Sequence, residues 1–304
     1  MNKLTKVKTV LVLAGPTAVG KTAISLEVAK QLSADIISAD SRQCYQGMSI
    51  GTAMPTAIEL QQVRHFFVNE FPVTKSITAS DFESYALQKL DEIFISSNFA
   101  VVCGGTGLYI KALTEGLDEM PKVDKIISHR VNESYEKYGL AWLQEMIKNE
   151  DPIFYEKGEI ANPARLLRAL SFKRSTGQSI LNYHTGKKKN RPFRIVKVAL
   201  NLPRNILYDR INLRVDAMME AGLLDEVKSL LPYRQLKNLQ TVGYTELFDF
   251  LDKKCSLNEA VAMIKQHSRN YAKRQLTWFR KYPEYTWLDA RVPNIANEII
   301  GLLS

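Results

Sequence analysis

Gly15-Pro16-Thr17-Ala18-Val19-Gly20-Lys21-Thr22 fits the phosphate-loop pattern G-x-x-x-x-G-K-[ST]. The pattern carries weight only when a strand runs into it and a helix leaves it. Both flanks comply. Thr9-Val10-Leu11-Val12-Leu13-Ala14 is a short apolar run rich in β-branched residues, the composition of a buried strand. From Lys21 to Leu32, the residues Ala23, Ile24, Leu26, Val28, Ala29 and Leu32 fall at helical spacing. A strand–loop–helix of this kind turns backbone N–H groups inward, and its glycines let the chain curl. The helix that follows adds unpaired N–H groups and the positive end of its dipole. Lys21 supplies a point charge, and the Thr22 hydroxyl can ligate Mg²⁺. A chance match in an ordinary strand–turn–helix is the poorer account once both flanks are right. The loop binds a polyphosphate; it does not say whose.

Working outward, Asp35-Ile36-Ile37-Ser38-Ala39 reads as a second strand, ending in Asp40-Ser41-Arg42-Gln43 with Tyr45 beyond. In a parallel α/β sheet the segments after the C-terminal ends of strands gather at one edge, where ligands bind. Asp40 is therefore placed to face the polyphosphate. An Asp-Ser pair is as readily a cap or turn, and on pattern alone both readings stay open. Thr56 to Val63 looks helical, and His65 before Phe66-Phe67 reads as structural. Ala79 to Ser97 is an amphipathic helix with Phe82, Tyr85, Ala86, Leu90, Ile93 and Phe94 on one face. Phe99 to Cys103 is a third buried strand running into Gly104-Gly105-Thr106-Gly107-Leu108-Tyr109. Many nucleotide hydrolases hold magnesium with an Asp at the end of such a strand. A Gly-Gly-Thr turn in its place weakens a motor-type ATPase reading.

Past Met120-Pro121 the pattern turns helical, with helices over 124–138, 141–148 and 163–174, and no strand until 194–200. Helices follow over 204–221, where Arg210 and Arg214 share a face and Gly222 is the stop, and over 257–279. The expected fold is α/β: a P-loop NTPase-like core with a parallel sheet, formed by 1–120 and 192–304, interrupted by a helical insert domain over 121–191.

The 304 residues suit one large or two modest domains. The charge balance, 41 basic against 32 acidic side chains, gives +9 and points to an acidic partner, with nucleic acid first. Its distribution sharpens this. Between Ile160 and Tyr208 there is no Asp or Glu, while Arg165, Arg168, Lys173, Arg174, Lys187, Lys188, Lys189, Arg191, Arg194, Lys197 and Arg204 fall there. So long a one-signed run favours contact with phosphate backbone over a merely solvated face. In the 257–279 helix, Lys265, Arg269 and Lys273 recur every fourth residue, followed by Arg274, Gln275, Trp278 and Arg280. This is the dress of an RNA surface, or equally of core aromatics beside solvated lysines. Cys44, Cys103 and Cys255 are too scattered for a disulfide framework or zinc site, so a reducing compartment is expected. The apolar run behind Lys3, Lys6 and Lys8 ends in the phosphate loop and is no signal peptide. No stretch is long enough to span a bilayer, so a cytoplasmic protein, away from membranes, is expected.

The motifs read together carry a resemblance. They are the phosphate loop; Ala39 to Gln43 with Tyr45; Gly47 to Ala53; Ser80-Asp81-Phe82; Gly104 to Tyr109; Arg165 with Arg168-Ala169-Leu170; Gln240 to Tyr244; and Ala272 to Gln275 with Thr277 to Arg280. In this order, over nearly the whole chain, the sequence closely resembles the tRNA dimethylallyltransferases, also called isopentenyl-diphosphate:tRNA transferases. The resemblance implies transfer of a dimethylallyl group from dimethylallyl diphosphate to N6 of adenosine 37 in tRNAs reading codons that start with U, with Mg²⁺, by a monomer. It implies that Gly15 to Thr22 hold the donor's diphosphate, that Thr22 ligates the metal, and that Asp40, Thr22, Lys21 and Arg214 are catalytic. Asp40, Ser41, Arg42, Gln43, Thr106, Ala164, Arg165, Leu166, Leu167, Arg168, Gln240, Gly243, Tyr244, Lys273, Arg274 and Gln275 would meet tRNA, the insert gripping the anticodon stem-loop. The chain departs from the family at Asn162-Pro163, where Asn-Asp is usual, at Ser171, where Glu is common, and at Cys44, usually apolar. Rivals are a P-loop small-molecule kinase, an adenylate isopentenyltransferase acting on free nucleotides, and an RNA-binding protein with a vestigial loop. The first two leave the basic surface unexplained, and the intact Lys21-Thr22 with Asp40 opposes the third.

Overall fold

The strand leading into the phosphate loop, β1 (Thr9–Ala14), is buried along its whole length. Successive side chains of a strand point to opposite faces, so a continuous apolar run needs cover on both sides. Val10, Val12 and Ala14 join one apolar cluster and Leu11 and Leu13 another. The structure, a computed structural model, describes residues 7–303. Its chain divides into two compact units: the described parts of Met1–Glu115 with Asn190–Ser304, and Gly116–Lys189.

In the first unit β1 leads through the loop to α1 (Lys21–Leu32), then β2 (Asp35–Ser38), α2 (Ala57–Gln62), β3 (His65–Phe66), α3 (Ala79–Ser96), β4 (Phe99–Gly104) and α4 (Gly107–Glu115). The second unit carries α5 (Lys125–Glu150), α6 (Pro152–Lys157) and α7 (Pro163–Thr176). The chain re-enters the first unit with β5 (Arg194–Asn201), α8 (Arg204–Glu220), α9 (Leu223–Ser229), α10 (Thr245–Leu251), α11 (Leu257–Arg280), β6 (Thr286–Asp289) and α12 (Ile295–Gly301). The strands form one sheet in the order β3-β2-β4-β1-β5-β6, every pairing parallel. Val12 of β1 sits opposite Val102 of β4 on one side and Lys197 of β5 on the other. The sheet is more extensive than the sequence reading: β3 and β6 were not anticipated. Both are short edge strands, too brief to show a period.

Parallel pairing sends the exits of β1, β2 and β4 to one edge. There the Ala39 N–H donates to the Cys103 carbonyl at 2.8 Å, and the Thr106 N–H donates to the Ala39 carbonyl at 3.1 Å. A Cβ on Gly104 would lie 2.3 Å from that Ala39 oxygen, so only glycine lets the two strand exits close together. Asp40 and Thr106 are thereby brought beside each other, next to the phosphate loop.

The second unit has its own core of Val131, Leu143, Ile147, Phe154, Leu166 and Phe172. α5 loses helical backbone at Gly139 (φ 74°, ψ −168°), which divides it where the sequence reading placed two helices. Asn162 caps α7, its side chain accepting from the Arg165 N–H, and Pro163 takes the first helical position. The departure at Asn162-Pro163 is thus a well-formed helix start, and Ser171 lies buried inside the same helix. No helix among the described residues is long and apolar enough to cross a membrane.

Candidate active site

The phosphate loop is braced from outside its curl. The Lys21 ammonium donates to the Pro16 carbonyl at 2.7 Å, and Arg210 of α8 donates to the Val19 carbonyl at 3.3 Å. The Thr17 N–H donates to Oε1 of Gln275 in α11 at 2.8 Å, while Nε2 of the same side chain donates to the Gly105 carbonyl at 3.0 Å. Gln275 is buried with both ends of its amide satisfied. Its side chain is therefore a strut between the loop and the turn after β4, which corrects the expectation of a direct RNA contact. Arg210 was missed as a site residue; its place four residues before Arg214, one turn away on the same face, was the available signal.

Lys21 keeps part of its surface open but is otherwise enclosed by protein. Burial lowers its pKa to about 8, and the neighbouring Arg214 pushes the same way, against Cys103 and Asp40. Burial also lowers the pKa of Arg214, with Asp40 opposing. Two cations and one carboxylate crowded in a low-dielectric corner leave a surplus of positive charge, which an anionic ligand relieves.

Asp40 and Arg214 also line a cavity whose wall is of mixed character: Thr17, Arg42 and Thr52 are polar, while Ile211, Val215, Met218, Val242 and Ile264 are apolar. Asp40 makes the turn that its pattern allowed and also lines the cavity. Oδ1 accepts from the Arg42 N–H at 2.8 Å and the Gln43 N–H at 3.3 Å. The Thr106 hydroxyl accepts from the Ser41 N–H at 3.0 Å. Tyr271 of α11, a cavity residue the sequence reading passed over, reaches the Thr106 hydroxyl. Burial, then Asp40, pushes its phenol up to about 12. Gln43 is committed to the protein: Oε1 accepts from the Ser38 hydroxyl at 3.1 Å, and Nε2 donates to the Thr52 and Ala53 carbonyls at 3.2 and 3.0 Å.

The model of a family described as IPP transferase matches residues 43–282. The chain belongs to the IPP transferase family. It is 45% identical to a tRNA dimethylallyltransferase of Christiangramia forsetii, the match covering 90% of this chain and 91% of that one. A second relative, tRNA dimethylallyltransferase 1 of Bacteroides thetaiotaomicron, is 43% identical over 97% of this chain and 95% of its own. Among solved structures, the full-length tRNA isopentenylpyrophosphate transferase of Bacillus halodurans superposes with a TM-score of 0.72 at 36% identity, covering 97% of each chain. A eukaryotic dimethylallyltransferase shares the fold, with a TM-score of 0.76 at 24% identity over 93% of this chain and 74% of that one.

The remaining residues expected to meet RNA in this IPP transferase divide by burial. On α7, Ala164, Arg165 and Arg168 are exposed and Leu167 half-buried, but Leu166 is fully buried in the insert core and packs instead. Arg165 pairs with Glu159. On α11, Lys273 and Arg274 are exposed and line a groove with Asn270, Thr277, Trp278 and Lys281. Gln240 is exposed, whereas Tyr244 is fully buried and its hydroxyl donates to Glu226 at 2.7 Å. The acid-free run is less free than its sequence implied. Arg174 pairs with Glu150, Arg191 with the buried Glu83, and Lys197 with Glu115 and Glu284. Arg194 caps the Leu302 and Leu303 carbonyls. The acids that partner these cations come from outside the run, which composition along the chain cannot reveal. Cys44 lies wholly inside the core, and burial pushes its thiol up to about 12, an inert state.

Proposed function

We propose that this protein transfers the dimethylallyl group of dimethylallyl diphosphate to N6 of adenosine 37 in tRNAs that read codons starting with U, releasing diphosphate. The observation that carries the reading is the cavity beside the phosphate loop, whose wall holds Arg42, Arg214 and Asp40 together with apolar side chains. A diphosphate suits the cationic side chains and a short branched hydrocarbon the apolar ones.

The residues then divide the work. The phosphate loop Gly15 to Thr22, through those of its backbone N–H groups that have no protein acceptor and through Lys21, holds the diphosphate. Mg²⁺ suits the site in that the Thr22 hydroxyl is a hard oxygen donor. Thr22 would hold the ion, which when bound neutralises charge building on the diphosphate. A bond forms between N6 and the allylic carbon, the carbon–oxygen bond breaks, and the electron pair leaves with the diphosphate. Arg214 stabilises that departing charge. The adenine amine is a weak nucleophile, its lone pair delocalised, and Asp40 accepts the proton it must lose. The base leaves its stack to reach the cavity, where Thr106 and the Asp40–Gln43 turn meet it. Arg165 and Arg168, with Lys273 and Arg274, hold RNA phosphates, the insert gripping the anticodon stem-loop. The protein works as a monomer in the cytoplasm, where its acceptor is.

Transfer of label from radiolabelled dimethylallyl diphosphate with Mg²⁺ tests this, offered to an unmodified anticodon stem-loop and to free AMP in parallel. Label is expected on the stem-loop and absent when adenosine 37 is replaced. Label on AMP alone moves the protein to the free-nucleotide enzymes, and ATP turnover without label sinks the transferase.

A further inference from the structure

Outside the cavity, on α9, the carboxylate of Glu226 gathers three hydrogen bonds. Oε2 accepts from the Ile50 N–H at 2.7 Å, and Oε1 from the Gly51 N–H at 2.9 Å and the Tyr244 hydroxyl at 2.7 Å. Carboxylates that accept several hydrogen bonds are strong anchors, because each bond is charge-assisted. Tyr244 is fully buried, so its ring fixes the anchor sideways. A Cβ on Gly51 would lie 2.6 Å from the Tyr244 phenolic oxygen, so the loop lies flush on the ring only because residue 51 is glycine.

What the anchored loop does next gives Glu226 a role. The carbonyl of Thr52 accepts from Gln43 Nε2 at 3.2 Å and, more loosely, from Arg214 Nη2 at 3.4 Å. Gly51, Thr52 and Tyr244 line the same cavity as Asp40 and Arg214; Glu226 does not. Arg214 has no carboxylate bonded to it in the described structure beyond the field of Asp40, so its aim depends on that carbonyl. An arginine offers five donors on a long stem, and fixing its direction is what converts charge into catalysis.

We infer that Glu226 is a positioning residue of the transfer reaction: through the Ile50–Thr52 loop it aims Arg214 at the departing diphosphate. The inference rests on the proposed role of Arg214. Glu226→Gln removes one acceptor and turns an N–H donor toward the loop's own N–H groups. Tyr244→Phe removes a single hydroxyl and keeps the ring. Single-turnover prenyl transfer to the stem-loop should slow about 10- to 100-fold in Glu226→Gln and less in Tyr244→Phe, with stem-loop affinity unchanged. The deciding readout is a cycle with Arg214→Gln: in that background either change should cost less than about twofold, because the group being aimed is gone. Equal losses in both backgrounds would show that Glu226 serves the fold alone and would overturn the inference, as would wild-type rates in both single variants. Thermal unfolding checks that each variant folds, and if Glu226→Gln does not, Tyr244→Phe carries the same cycle. Wild-type protein that transfers no label at all is a different failure, that of the transferase reading itself.

Discussion

Asp40 holds a turn with one oxygen, and the role proposed for it falls to the other. Its Oδ1 closes the turn by accepting from Arg42 and Gln43, and no protein donor among the described residues meets Oδ2. Asp40→Asn keeps an oxygen for the turn and loses the proton acceptor. Transfer in a single turnover should fall by about 10²- to 10⁴-fold, while calorimetric titration finds inorganic diphosphate bound as before. Lys21 gives a pH signature. In the free protein its pKa sits at about 8, below the ordinary 10.5, because burial disfavours the charge. A bound diphosphate favours the charged form and raises that pKa again. Binding between pH 8 and 10 should therefore take up a proton at Lys21, and affinity should fall as pH rises through this window; titrations in buffers of unlike ionisation enthalpy count the proton. The sign for folding follows from the same shift. The unfolded chain holds more protons at Lys21 between about 8 and 10.5, so this group adds stability to the free protein as pH rises there.

At the scale of the element, α11 is the clearest case of a helix whose two faces do unlike things. Lys273, Arg274 and Trp278 border a groove, while Gln275, between them in sequence, is buried against the phosphate loop. Gln275→Ala leaves the Thr17 N–H and Gly105 carbonyl without their partner, at about 1–3 kcal/mol for each buried group left unsatisfied. The thermal midpoint should drop and the KM for dimethylallyl diphosphate rise. Gln275→Glu should bind diphosphate worse still, since it meets the Gly105 carbonyl and the ligand with negative charge. Nothing in the sequence distinguished Gln275 from its basic neighbours, because the direction of a side chain around a helix matters only once its partners are known. The phosphate loop, β1, α1 and β4 were legible for the opposite reason: their partners are local or their burial is continuous. β3 and β6 were not, being short strands on the sheet's edges whose pairing alone defines them. Tyr271 escaped because it reaches the cavity from a distant part of the chain, whereas Arg210, one turn from Arg214, carried a signal that went unused.

For the molecule as a whole, the net charge of +9 predicts salt-sensitive binding of any nucleic acid, and the side-chain pairing says which residues supply it. Arg191 and Lys197 are paired with carboxylates of the protein, whereas Arg168 is exposed and, among the described residues, bonded only to the Met120 sulfur. Arg168→Gln should weaken stem-loop binding and flatten the slope of log affinity against log salt by about 0.7–0.9, leaving diphosphate affinity untouched; Arg191→Gln should instead lower the melting point. The strut from Gln275 to Thr17 joins residues 258 apart, and β1 pairs Thr9 with Arg194. Contacts that distant form late, because loop closure must precede them. During synthesis, then, the ribosome releases the phosphate-loop motif 258 residues before the side chain that braces it. A product truncated before α11 carries the whole motif and lacks its brace, so translation itself times the appearance of activity.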